Sequence, residues 1–161
     1  MPRQCARKLH GLTLIEVLVV VCIVGVIATL AAPDLTRALT NQRLRGAATD
    51  LVSALLLARS EAIKRGVQVQ VAPLAAGDWK SGWRVVTTSS GEQVEKTDAL
   101  GQWVDVQYAP STIAYERSGR LAGVGVARIE FRASASAPGV TSRCVTIDPS
   151  GMPRLSVASC A

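Results

Sequence analysis

The sequence predicts an α+β fold in which one long N-terminal helix is laid across an antiparallel β-sheet domain. Three observations carry this: an apolar run over residues 12–32, helical spacing of apolar residues after Pro33, and a drop to period two from Val67 onward. A chain of 161 residues has room for one compact domain and an appended element, which excludes a multidomain enzyme.

Residues 12–32, LTLIEVLVVVCIVGVIATLAA, are apolar apart from Glu16 and the hydroxyls of Thr13 and Thr29. As a helix they extend about 30 Å, the thickness of a bilayer core. Arg3, Arg7 and Lys8 precede them and supply half of the net charge of +6. The positive-inside rule then puts the N-terminus in the cytoplasm and everything after Pro33 outside. Three processing fates compete: removal as a secretory signal after Ala31 or Ala32, which leaves a soluble exported domain; retention as an uncut signal anchor; and loss of the basic leader alone. The first two leave Glu16 unexplained, because a carboxylate in a membrane span is costly and normally marks a functional partner.

Beyond Pro33, Leu44, Ala48, Leu51, Leu55, Ala58 and Ala62 recur at spacings of four and three and form one helical stripe. Arg43, Asp50, Arg59, Glu61, Lys64 and Arg65 mostly fall off it and read as a solvated face. Lys64 and Arg65 complement the C-terminal dipole and Gly66 suits the position after the helix, so the helix ends there. If continuous with the apolar run, it is a rod of about 80 Å. VQVQV (67–71), WRVVTT (83–88), WVDVQY (103–108), VARIEF (126–131), RCVTID (143–148) and RLSVAS (154–159) read as strands. GDWKSG, SSGEQ, SGRLAG and PSGMP separate them as turns, and residues 133–142 read as a loop.

Most chemistry is excluded early. The single histidine, His10, precedes the apolar run, so a processed chain carries no imidazole for a nucleophile–base pair or a metal. No phosphate-cradling glycine loop and no carboxylates at metal spacing occur, and Glu92 and Glu95 read as solvated turn residues. The sequence predicts no catalytic residue, no metal site and no cofactor. Cys5 lies in the leader and Cys22 in the apolar run, which leaves Cys144 and Cys160 flanking a turn built on Pro149, Ser150, Gly151 and Pro153. A hairpin there brings the two together, and in an oxidising compartment they are expected to form a disulfide contributing about 3 kcal/mol. Trp79 and Trp83 read as core plugs rather than a ligand surface.

HGLTLIE, with Gly11 before Leu12-Thr13-Leu14-Ile15-Glu16, resembles the class III signal of type IV prepilins. The resemblance implies cleavage between Gly11 and Leu12 by a membrane-embedded prepilin peptidase, N-methylation of Leu12 and retention of the apolar helix. It also implies that Glu16 meets the charged N-terminus of a neighbouring subunit during filament assembly. Leu12 departs from the family's usual phenylalanine, whereas Pro33 lies where pilins commonly carry a proline. Residues 44–69, LRGAATDLVSALLLARSEAIKRGVQV, and the W-x-x-G-W element at Trp79–Trp83 are similar to the FimT/GspH class of minor pilins and pseudopilins.

That likeness implies a type IV pilin-like domain plan. Residues 1–11 are a leader, 12–32 the transmembrane half of the helix, 33–66 its amphipathic half and 67–161 a periplasmic β-rich domain anchored in the bacterial inner membrane. Its expected work is assembly with other pilins in a type IV pilus or a type II secretion machine. A second reading is a DNA receptor at a pilus tip, because some FimT-like minor pilins take up DNA through a G-R-x-R element. Here the stretch is Gly151-Met152-Pro153-Arg154, with only the second arginine present. Arg154, Arg143 and Lys80 are the candidate phosphate contacts.

Overall fold

Thr13 sets the start of helix α1 (Leu14–Arg65): its Oγ1 accepts the Glu16 N–H at 3.3 Å, as expected of the T-x-x-E pattern of a capping box. The structure is a computed structural model that describes residues 13–123, 125–134 and 139–160. The chain divides into two units, Met1–Leu35 and Thr36–Ala161. In the first, Leu14, Ile15, Val20, Val24 and Ile27 are all at least half exposed, so this stretch of helix presents apolar side chains around its whole circumference. No one helix among the described residues is long and apolar enough to cross a membrane, and Leu14–Thr29 and Asp34–Arg65 meet that measure only as a pair.

In the second unit the helical stripe is where spacing placed it: Leu44, Ala48, Leu51, Leu55, Ala58 and Ala62 are fully buried, joined by Ala47 and Ala54. Glu61 is the exception among the charges read as solvated. It is buried beside the stripe and held by Arg65 Nε at 2.5 Å, while Arg65 Nη1 reaches Glu92 at 2.8 Å. These two carboxylates raise the Arg65 pKa, first through the hydrogen bond Arg65 donates to Glu61 and then through the one it donates to Glu92.

Eight strands follow among the described residues, in two antiparallel sheets rather than one. The first has β3 (Gln93–Thr97), β2 (Asp78–Thr87), β1 (Val69–Ala75) and β5 (Ile113–Tyr115) in that order; the second has β4 (Val104–Gln107), β6 (Ala127–Ala133), β7 (Arg143–Ile147) and β8 (Pro153–Ser156). Two strands were not visible as period-two runs. β3 carries one apolar residue, Val94, and is an edge strand, so it needs no buried face; Glu95 therefore lies in a strand and not a turn. β5 is only three residues long. The GDWKSG segment is likewise mostly strand, since Ala75 pairs with Asp78 across a tight Ala76-Gly77 connection with Gly77 at φ +75°.

One core joins the stripe to the inward residues of both sheets. Trp83 of β2 lies at its centre, 6.5 Å from the Trp79 ring and 6.4 Å from Phe131 of β6, so it packs the first sheet on the second. Trp79 Nε1 donates to the Pro110 carbonyl at 2.6 Å. At the far end, the β7–β8 turn packs on the turn after β5. Gly151 has φ +82°, and a Cβ there would collide with the Gly119 carbonyl and crowd the buried Tyr115 ring. Gly151→Ala is therefore expected to cost about 1–2 kcal/mol, read as a lower urea midpoint at unchanged slope.

Candidate interaction surface

The outward face of the second sheet is built by strand alternation. Arg128 of β6 and Arg154 of β8 both pair with Thr146 of β7, so the three form one row across the sheet. Arg128 and Arg154 are exposed. One register step along, Glu130 pairs with Cys144, and beyond it Arg132 pairs with Asp105. Arg132 Nη1 donates to Gln107 Oε1 at 2.6 Å.

The C-terminal segment folds back over this face and is fastened at several points. Cys144 and Cys160 form a disulfide, with Cα atoms 5.2 Å apart. Glu130 Oε2 accepts the Cys160 N–H at 3.0 Å and the Ser159 hydroxyl at 2.9 Å, and Arg128 Nη1 donates to the Cys160 carbonyl at 3.2 Å. Glu130 is 2% exposed. Burial pushes its carboxyl up, but the Cys160 N–H, the Ser159 and Ser142 hydroxyls and the Arg132 charge together hold it below the ordinary carboxylate range.

The three cations singled out in the sequence are not brought together. Arg154 stays on the outward face, near Asp148, whose carboxyl is lowered first by the Ser150 hydroxyl and then by the Met152 N–H, with Arg154 adding to it. Lys80 projects from β2 to Asp105, with its Nζ 2.7 Å from the carboxylate. Arg143 is a correction. It is 8% exposed and points to the opposite face of β7 from Arg154, because their paired positions on β7, 143 and 146, differ by an odd number. Its guanidinium is hydrogen-bonded to Asn41 Oδ1 and to the carbonyls of Thr141 and Ser142, so it lies off the outward face that carries Arg154. Arg128, one of the arginines that make the last third of the sequence basic, was not among the best candidates, although the alternation of Arg128, Glu130 and Arg132 in ARIEFRA (127–133) places all three on one strand face.

On the helix, Glu16 is exposed in the first turn of α1. Gly11 and Leu12, the expected cleavage pair and methylation site, lie outside the described residues. Cys22 is an exposed free thiol. Among the described residues no group of three His, Cys, Asp or Glu side chains could hold a metal ion.

With this geometry in place, the likenesses to known proteins become interpretable. A family model described as type II transport protein GspH matches residues 47–151, from the buried stripe of α1 to the β7–β8 turn. No curated protein matches the chain in sequence. Among solved structures, the type IV minor pilin FimU of Pseudomonas aeruginosa is similar at 21% identity and TM-score 0.57, over 73% of this chain and 90% of that one. The minor pseudopilin EpsH from the type II secretion system of Vibrio cholerae is similar at 16% identity and TM-score 0.53, over 71% of this chain and 97% of that one. At these identities the two structures establish the shared fold.

Proposed function

The chain belongs to the GspH family, and from that premise we propose that it is a minor pilin or pseudopilin, a structural subunit of a type IV pilus or a type II secretion filament. The observation that carries this is the N-terminal stretch of α1, whose large apolar residues are exposed all round while the stripe from Leu44 to Ala62 is buried in the domain. A helix apolar on every side needs lipid or other helices around it. A filament subunit has both in turn: the inner membrane before assembly and its neighbours' helices afterwards.

In this reading prepilin peptidase cuts between Gly11 and Leu12, Leu12 is N-methylated, and the domain after Pro33 is periplasmic. Glu16 then sets axial register by meeting the positive N-terminus of the next subunit. Glu16→Ala should leave processing intact, because the cleaved bond precedes it, and should reduce incorporation into sheared filaments about tenfold or more. Normal incorporation of the variant, measured by immunoblot of the filament fraction, would remove the proposed role of Glu16. The machine is identified by deleting the gene and comparing surface pili with enzymes exported to the medium. Loss of pili alone marks a pilus subunit, and loss of secretion alone marks a pseudopilin.

The Arg128–Thr146–Arg154 row favours a second reading, a DNA contact at the filament tip. Two exposed arginines separated by a threonine, with no carboxylate between them, suit successive backbone phosphates. If this surface binds DNA, Arg154→Gln weakens binding and flattens the dependence of log Kd on log salt by about one unit. An unchanged slope would leave Arg154 with no part in DNA binding.

A further inference from the structure

Arg143 is charged, 8% exposed and has no acidic partner among the described residues: its three hydrogen bonds go to an amide oxygen and two backbone carbonyls. Buried charges are ordinarily compensated by opposite charge, since neutral dipoles repay only part of the cost of removing a cation from water. Arg143 lines an open cavity of about 280 Å³ between the Arg37–Asn41 turn of α1 and the 139–143 segment, and none of the described residues lining it is Asp or Glu. Its rim includes Val157, which is 68% exposed, and the half-buried Val140.

We propose that this cavity is a socket for an Asp or Glu side chain of a neighbouring pilin subunit, which enters to pair with Arg143. The inference rests on the reading of the chain as a filament subunit. The charge of the cavity selects a carboxylate, and its apolar rim selects one carried on a protein. A free anion would leave Val157 in water, whereas a docked subunit covers it and dries the ion pair, the arrangement in which a charged contact at an interface is strong and specific. With Nη1 on the Thr141 and Ser142 carbonyls and Nη2 on Asn41, the incoming carboxylate takes the side of the guanidinium formed by Nε and the second Nη2 hydrogen.

The test uses the full chain in cells that build the filament, with p-benzoylphenylalanine placed at Val157 in one strain and at Val20 in another. The Val20 probe reports whether the apolar helix lies among other pilins. The Val157 probe is expected to crosslink to a peptide of another pilin that carries an Asp or Glu. Changing that acid to Lys should cut the yield about tenfold or more. Arg143→Gln should do the same while still forming the Cys144–Cys160 bridge on a non-reducing gel, and Arg143→Lys should lose less. Should Arg143→Gln fail to form the bridge, reversal of the partner acid decides alone. Crosslinks from Val20 with none from Val157, a Val157 crosslink to lipid or to a peptide lacking an acid, or a yield indifferent to acid reversal would each overturn the socket and leave the filament reading standing. Absence of crosslinks from both probes would overturn both.

Discussion

Trp83→Ala is expected to destabilise the domain by about 3–5 kcal/mol, the range for removing a large buried aromatic, and to lower its thermal midpoint by roughly 10 °C or more. Trp83 is fully buried, and its ring touches Trp79 within the first sheet and Phe131 in the second, so its loss opens a cavity where the sheets meet. The backbone there has little freedom to collapse into the space. Gly82, the preceding residue, sits at φ +92°, and a Cβ on it would collide with the Thr97 carbonyl and press on Asp98. Trp83→Phe separates ring packing from polarity. The indole Nε1 is buried with no hydrogen-bond partner among the described residues, so phenylalanine removes an unsatisfied donor along with some volume, and the cost should be less than half that of alanine. Urea unfolding of the three proteins checks this. A Trp83→Ala loss within 1 kcal/mol of the parent would mean that the sheets are joined elsewhere.

The same residue shows how far the sequence could be read. A tryptophan at the start of an alternating run is legible as a core plug, and the Leu44–Ala62 stripe is legible because helical period alone fixes which residues share a face. The division into two sheets was not legible. It depends on β3 and β5, one too polar and the other too short to announce itself, and on pairings such as Val69 with Tyr115 that span long separations. Among site residues, Cys144 and Cys160 were legible from the turn between them. Arg143 and Glu130 were not, since each sits in a strand where alternation leaves a charge on an apparently free face. The first is buried by α1 and the second by the returning C-terminal segment, events set by tertiary structure alone. Glu16 was singled out by the cost of a carboxylate in an apolar run, whereas resemblance supplied its expected partner and the pair Gly11 and Leu12.

Removing the carboxylate of Glu130 is the second large expected effect. Glu130→Ala should cost about 3 kcal/mol, because hydrogen bonds to a charged group are each worth about 1.5–3 kcal/mol and the Cys160 N–H and Ser159 hydroxyl would lose theirs together. Glu130→Gln keeps an acceptor oxygen and the shape, and should cost about half as much. The acid dependence follows from the lowered carboxyl. A group that titrates below its unfolded value of about 4.3 contributes fully above that pH, and the contribution is lost as pH falls through it toward the folded value. The parent should therefore lose stability as pH falls below about 5 more steeply than Glu130→Gln, with a residual slope from Asp148, whose carboxyl is also lowered. Urea midpoints across that range provide the measurement, with hydrogen exchange at Cys160 reporting whether the segment itself loosens. Equal slopes in parent and variant would mean that Glu130 does not carry the acid sensitivity and that the disulfide alone fastens the C-terminal segment.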